Sequence, residues 1–388
     1  MKPLNKKNDF FQSSKIREMT ILANKYDAIN LAQGFPEFDP PKELLHKLSE
    51  IVNDPVHQYG PNWGVTKFRE KIAAHYSSIY GRKVSTDEVL ITCGSTEAMM
   101  AAEFAVLNPG DKVAMFSPYY VSYSKNAFIA GADSVFIPLN PEDLSIDYIK
   151  LDQVLSDEKV KALILCNPSN PSGKVFSRDE LELIAKFVKK YDLYVITDEV
   201  YEYILYEPYE HIGFATLKEM YERTISCHSL SKTYAVTGWR LGYVLGPPEL
   251  LNEVRKYHDF FTVCAPTPLQ VAAIEALSFD DEYYKQVKEL YTRKKEIFIS
   301  GLGKLGYKFI NPQGTYYVLV NIEEFGIEDD SEFAIRLVEK YKIAGVPGSE
   351  FFADKNNHFI RFHFAKNDDT LIEVLNRLAL LKKNGIKK

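Results

Sequence analysis

Cysteine is scarce. The chain has four in 388 residues, Cys93, Cys166, Cys227 and Cys264, at spacings that do not suit a shared metal ion. Three of them end apolar runs that read as buried strands, so free thiols in a reducing compartment are expected rather than a disulfide framework. No apolar run approaches the roughly 20 residues that cross a bilayer. The opening residues Met1-Lys2-Pro3-Leu4-Asn5 carry no signal-peptide core. A soluble, cytoplasmic protein is expected, with no membrane partner. Positive charge is not in excess either: 47 Lys and Arg stand against 53 Asp and Glu, a net charge of −6, so nucleic acid is not an expected partner. Internal repeats and low-complexity tracts are absent. Aromatic residues are plentiful, with 25 Tyr and 24 Phe, enough for a large core and an aromatic-lined pocket.

From about residue 61 helical patterns alternate with short apolar strands. The pattern predicts a helix over 67–80, a strand over 89–93, a helix from Ser95 and a strand over 112–116. Continuous apolar runs over 160–166 and 193–197, separated by an amphipathic helix over 178–190, read as strands buried on both faces. That alternation implies a mostly parallel sheet between helices, which binds ligands at the carboxyl ends of its strands. After about residue 272 the rhythm changes. A charged helix is expected from 281 to about 302, strands over 316–320 and 359–364, and helices over 330–341 and 369–382. The expected organisation is a large domain over 45–285 and a smaller one built from 1–44 and 286–388, with the site in the cleft between them.

Lys232 lies in Ser229-Leu230-Ser231-Lys232-Thr233-Tyr234-Ala235-Val236-Thr237-Gly238-Trp239-Arg240, at the end of an apolar stretch and between hydroxyl residues. Surface charge explains it poorly; an amine placed to form a Schiff base with an aldehyde cofactor explains it better. A pyridoxal phosphate site needs that amine, a carboxylate beside the pyridine nitrogen, and helix-terminal N–H groups, hydroxyls and an arginine for the phosphate. Asp198, at the end of a strand in Thr197-Asp198-Glu199-Val200-Tyr201, is the candidate carboxylate, although a lone aspartate there is ordinarily a cap. Tyr201 can reach the phenolic oxygen or serve as a core aromatic. Gly94-Ser95-Thr96-Glu97 joins a strand to a helix, as an anion site or an ordinary cap. Arg240 and Ser229 suit a phosphate, whereas a lone arginine is more often a surface ion pair. Asn167-Pro168-Ser169-Asn170-Pro171-Ser172-Gly173 is a turn whose prolines permit cis peptides. Arg361, inside the apolar run 359–362, is a charge that needs a partner: a substrate carboxylate, or a structural ion pair.

Taken together, these motifs resemble the fold-type I, class I/II pyridoxal phosphate aminotransferases over nearly the whole chain. The resemblance implies an α/β fold with a mostly parallel seven-stranded sheet in the large domain and a smaller α+β domain. It implies Lys232 as Schiff base and proton shuttle, Asp198 at the pyridine nitrogen, and Tyr201 and Asn170 at the phenolic oxygen. Ser95, Thr96, Ser229 and Arg240 would hold the phosphate, and Tyr120 would stack on the ring. Arg361 would clamp the α-carboxylate, helped by Asn170 and the Gly34 backbone. Tyr59 matches a tyrosine that reaches the neighbouring subunit's phosphate, which implies a homodimer.

Within the family, Gln33-Gly34-Phe35-Pro36-Glu37-Phe38-Asp39 and the segment from Phe359 to Lys366 look most like the kynurenine, glutamine and methionine aminotransferase group, which implies large neutral amino acids as substrates. Phe35, Trp63 and Tyr120 are candidate pocket walls, with structural packing the rival for Phe35 and Trp63; Val263 and Cys264 are placed near the same pocket. Residues 262–267 hold no arginine, where aspartate-type relatives place one for a second carboxylate. An aspartate-type aminotransferase and a β-eliminating C–S lyase on the same scaffold remain alternatives. A ligand-sensing regulator on a dead aminotransferase is the rival from outside enzymes, and retention of Lys232 speaks against it. No metal is expected.

Overall fold

The structure, a computed structural model, describes residues 2–11, 13–354 and 356–386. The chain divides into two compact units, one of Met1–Gly34, Arg293–Asn311 and Tyr316–Lys388, the other of Phe35–Thr292 and Pro312–Thr315.

The larger unit is built on seven strands: β1 (Val89–Thr92), β2 (Lys112–Ser117), β3 (Asp133–Pro138), β4 (Val160–Cys166), β5 (Tyr194–Asp198), β6 (Thr224–Ser229) and β7 (Gly242–Leu245). Their order across the sheet is β1-β7-β6-β5-β4-β2-β3. Only β7 runs against its neighbours; the other pairings are parallel. The reversal matters for the site. It brings the amino end of β7, with Arg240 and Leu241 just before it, to the same edge as the carboxyl ends of β1, β4, β5 and β6.

Helices cover both faces of this sheet. On one face α2 (Gly94–Val106), α3 (Ser122–Ala130) and α5 (Pro248–Phe261) pack Ala98, Met99, Ala101, Ala102, Ala127, Leu251 and Val254 on Ile164, Ile196, Cys227 and Val244. The small residues of α2 let it lie close to the strands. On the other face α1 (Thr66–Tyr80) buries Phe68, Ile72, Ala73 and Tyr76 against Val89, Ile91, Tyr243 and Leu245. The amphipathic α4 (Arg178–Lys190) buries Leu181, Ile184, Ala185 and Val188, one stripe at helical spacing. It starts at a capping box, in which Glu180 N–H donates to Ser177 Oγ (3.3 Å) and Ser177 N–H donates to Glu180 Oε2 (2.8 Å).

The smaller unit holds an antiparallel four-stranded sheet of β8 (Phe309–Ile310), β9 (Tyr317–Asn321), β10 (Val346–Pro347) and β11 (Phe359–His363), in the order β10-β11-β9-β8. A short parallel pair, Ile29–Asn30 with Ile343–Ala344, and helices over Lys15–Lys25, Asp330–Tyr341 and Asp368–Asn384 complete it. The charged helix expected from 281 spans Asp281–Lys304. All four cysteines carry free thiols. Among the described residues no helix is long and apolar enough to cross a membrane, and no group of three His, Cys, Asp or Glu could hold a metal ion.

Candidate functional site

The carboxyl ends of β4, β5 and β6 place Cys166, Asp198 and Cys227 side by side in register. Asp198 is buried, and it is held from both sides. The Tyr123 hydroxyl donates to Oδ2 (2.6 Å) and the Val200 N–H donates to Oδ1 (3.4 Å). Burial pushes the carboxyl above the usual aspartate range. The Tyr123 hydrogen bond, the Val200 N–H and the charges of His228 and Lys232 pull it back in part. A protonated ring nitrogen is the kind of partner such a buried carboxylate accepts.

Beyond Ser229 the chain leaves β6 into the single helical turn Leu230–Thr233, so Lys232 emerges at the same edge. Its Nζ lies 5.9 Å from the centre of the Tyr201 ring, itself buried in the turn after β5. Ser229 Oγ donates to the Leu241 carbonyl (3.1 Å), lies 2.8 Å from the Ser231 hydroxyl, and accepts from Ser231 N–H (3.1 Å). Those bonds pin the start of the lysine turn to the segment leading into β7.

Beside them is the anion end. Helix α2 begins at Gly94, which has φ +75°, directly after β1. A Cβ at Gly94 would sit 2.6 Å from Arg240 Nη2, and one at Gly242 would sit 2.5 Å from the Gly94 carbonyl carbon and 2.6 Å from Ser95 N. Backbone atoms leave no room for a side chain at Gly242, the positive φ favours glycine at position 94, and the Arg240 guanidinium rests against the helix N-terminus. Arg240 is itself in the left-handed region, φ 52°, with Nη1 donating to the Thr237 carbonyl (3.1 Å). A guanidinium and a helix N-terminus brought to one point are two positive features, a combination that a phosphate dianion stabilises. Ser95 is half-buried there and Thr96 exposed. The donor set, the amine and the buried carboxylate fit pyridoxal phosphate.

The loop after β4 turns as expected: the Asn167-Pro168 and Asn170-Pro171 peptides are cis, and Gly173 N–H donates to the Ser169 carbonyl (2.8 Å). Asn167 is a structural residue, its Oδ1 accepting from Phe176 N–H (3.1 Å), while Asn170 is buried one turn on. Tyr120 meets Tyr123 edge to face at 5.8 Å, which links it to Asp198. Trp63 carries the Arg255 guanidinium 4.1 Å from its ring centre and Arg69 at 6.0 Å. Phe35 is 38% exposed and Tyr59 85% exposed, both in the larger unit. Val263, with φ 66°, and Cys264 follow the end of α5.

In the smaller unit Arg361 sits on β11, 1% exposed. Its guanidinium lies 4.3 Å from the Tyr317 ring centre and 4.5 Å from that of Phe351, and Nη2 donates to the Ala32 carbonyl (2.8 Å). Two rings and a carbonyl fix its plane. Gly34 belongs to the same cluster. Its carbonyl accepts from the Tyr316 hydroxyl (3.0 Å), and a Cβ there would overlap the Tyr317 hydroxyl.

Three sets of contacts around this edge are not read from the sequence. Tyr123 stands three residues after Tyr120, one helical turn on, and that spacing was the available signal. Glu97 accepts from Cys93 N–H (2.5 Å) and from the Thr262 hydroxyl (2.9 Å) and pairs with His258 (2.6 Å), which stiffens the first turn of α2. Glu202 and His228 meet behind the sheet, from elements 26 residues apart, and nothing local announces them.

The family model described as aminotransferase class I and II matches residues 26–378. The methionine aminotransferase of Escherichia coli is 34% identical over 94% of this chain and 95% of its own length. A kynurenine–oxoglutarate transaminase of Dictyostelium discoideum is 31% identical over 98% and 96%. The solved structure of N-succinyldiaminopimelate aminotransferase from Mycobacterium tuberculosis has a TM-score of 0.93 at 34% identity, covering 98% of this chain and 100% of that one.

Proposed function

This chain belongs to the pyridoxal-phosphate-dependent class I and II aminotransferases, and from that premise we propose that its amino donors are large neutral L-α-amino acids: methionine, glutamine, aromatic or kynurenine-like. The amino group passes to a 2-oxo acid in two half-reactions that share one site. The observation that carries the residue assignments is the meeting of Lys232, Asp198, Tyr201, Ser229 and the Arg240–Gly94 contact at one edge of the sheet.

When bound, pyridoxal phosphate supplies an aldehyde carbon for an amine and a ring that withdraws electrons from the substrate Cα. Lys232 Nζ would hold the resting cofactor and, once freed by the donor's amine, would take the substrate Cα proton. Asp198, whose ionised form the Tyr123 hydroxyl favours, would hold a proton on the ring nitrogen. The Tyr201 hydroxyl and Asn170 would orient the phenolic oxygen, and Tyr120 would cover one face of the ring. Ser95, Thr96, Ser229 and Arg240 hold the phosphate, joined by Tyr59 from a second copy in a homodimer; the exposure of Tyr59 supports that role. Arg361, with Asn170 and the Gly34 backbone, takes the α-carboxylate, common to every donor and acceptor.

The neutral side-chain preference is supported by the aromatic residues Phe35, Trp63 and Tyr120, by the lack of arginine in 262–267, and by the names of the methionine and kynurenine relatives. Free thiols on all four cysteines suit a cytoplasmic setting. The test is a panel of amino acids, aspartate and cystathionine included, against several 2-oxo acids, reading the cofactor's absorbance and the products. Methionine, glutamine or an aromatic donor should lead; aspartate in the lead would reject the substrate reading, and pyruvate with ammonia formed without an acceptor would reject transamination as the main reaction.

A further inference from the structure

Behind the sheet lies a buried polar cluster that the reaction as described does not use. Side chains alternate along a strand, so His228 points away from Cys227, its neighbour on β6 in register with Asp198. Cys227 and Tyr123 belong to the core on one face, Tyr76 and Tyr243 to the core on the other. On that second face the Tyr76 hydroxyl bridges both Glu202 carboxylate oxygens (2.9 and 2.8 Å). It also meets His228 Nδ1 (3.0 Å) and the Tyr243 hydroxyl (3.0 Å). His228 Nδ1 lies 3.3 Å from Glu202 Oε1, and its ring stacks on Tyr243 at 5.0 Å with the planes 8° apart. None of the four is more than 7% exposed.

The place of these residues in the chain gives the cluster its meaning. Glu202 directly follows Tyr201, and His228 stands four residues before Lys232. The same turn is tied a second time nearby, where Glu199 accepts from the Thr197 hydroxyl (2.6 Å) and pairs with His211 (2.7 Å). We propose that the Glu202–His228 pair, closed by the Tyr76 hydroxyl, is a positioning latch for amino transfer. It fastens the turn that carries Asp198 and Tyr201 to the strand end that carries Ser229 and Lys232. The inference rests on Lys232, Asp198 and Tyr201 serving the cofactor as proposed above.

A buried ion pair is a weak source of stability, because desolvation consumes most of its attraction. What it imposes is geometry: the bonds hold only while both segments keep their places, and a shift of about 1 Å at reacting groups can cost about 100-fold in rate. Burial disfavours both charges, but Glu202 and His228 each offset it for the other, so the glutamate is lowered and the histidine raised. The further groups facing the pair are Glu199 and Asp198 from the β5 turn, His211, His75 from α1, and the hydroxyls of Tyr203, Tyr243 and Tyr284.

The experiment uses the cofactor-loaded protein and three variants, His228→Asn, Glu202→Gln and Tyr76→Phe. Three quantities are read: kcat and KM separately, the pH midpoint of the visible absorbance of the cofactor held on Lys232, and the melting temperature. A latch predicts that kcat falls about ten-fold in the first two while KM moves less than about two-fold. It also predicts that the absorbance midpoint rises by about one pH unit, because a misplaced Tyr201 hydroxyl no longer favours the deprotonated phenolic oxygen. Tyr76→Phe, which leaves the charged pair in place, should show the same shifts at smaller size and serves alone if the others do not fold. Variants that melt lower yet keep the wild-type midpoint and kcat overturn the latch. A wild-type chain with no visible absorbance or no transfer would sink the parent reading instead.

Discussion

The Tyr123 hydroxyl donates to Asp198 Oδ2 across 2.6 Å inside the larger unit, both residues being buried. This bond favours the ionised carboxylate against a burial that opposes it. Removing it with Tyr123→Phe leaves the shape and takes away a hydrogen bond to a charged group, worth about 1.5–3 kcal/mol. The Asp198 pKa, already raised, then rises further. If ionised Asp198 is needed for turnover, the acid limb of the kcat–pH profile moves to higher pH, with the alkaline limb unchanged. An acid limb that stays in place would show that another group sets it.

Lys232 is the amine at this edge, 5.9 Å from the Tyr201 ring centre. Lys232→Ala should reduce turnover by about 1,000-fold or more, since the proposed covalent anchor and proton carrier are one and the same side chain. The visible absorbance of the lysine-bound cofactor should vanish with it. Turnover at the wild-type rate in that variant would refute the assignment. The phosphate contacts proposed for Ser229, Ser95 and Arg240 do not involve this side chain, so the variant should still retain the cofactor on gel filtration.

Much of this edge was legible because its residues sit in short segments with strong local signals. The runs 160–166 and 193–197 are apolar throughout, and β4 and β5 form at Val160–Cys166 and Tyr194–Asp198. The amphipathic stripe of α4 marked Arg178–Lys190 to the residue. Strands β3, β6 and β7 were not called from pattern. β3 is a half-exposed edge strand, and β6, Thr-Ile-Ser-Cys-His-Ser, hides polar residues whose partners are distant in sequence. The same reason concealed Tyr123, Glu202 and His228. A polar residue satisfied by a partner 26 to 152 positions away looks like a surface residue until the fold supplies that partner.

Arg361 is held by Tyr317, Phe351 and the Ala32 carbonyl, so its guanidinium is oriented before any ligand arrives. Arg361→Lys keeps a positive charge but loses the planar fork that grips a carboxylate with two bonds. It should lower kcat/KM by about 100-fold, on the scale of 2–5 kcal/mol for a buried charged pair. The loss should be alike for every amino acid and 2-oxo acid, since all share the carboxylate. A loss confined to one substrate would place Arg361 at a side chain instead.

Stability should peak in a mildly acidic band set by three buried carboxylate–histidine contacts. Glu199 is buried, but His211's hydrogen bond, the charges of His228 and His211 and the Thr197 hydroxyl outweigh burial and bring it down to about 2. Glu202 is lowered as well. A depressed carboxylate contributes stability above its unfolded value, about 4.3, and loses it as pH falls toward the folded value. His228 and His258 run the other way. Burial opposes their charge, yet Glu202 and Glu97 raise them. Their contribution is complete below about 6.5, the unfolded histidine value, and is lost as pH rises through the folded ones. Both sets act together only between those limits, so the melting temperature should fall on either side of about pH 4.5–6.5. Glu199→Gln should flatten the acid side selectively, because the variant has no proton to take up there, and Glu97→Gln should flatten the alkaline side by removing the partner that raises His258. Thermal unfolding of the three proteins from pH 3 to pH 9 checks this; an acid limb of unchanged steepness in Glu199→Gln would assign it to other carboxylates.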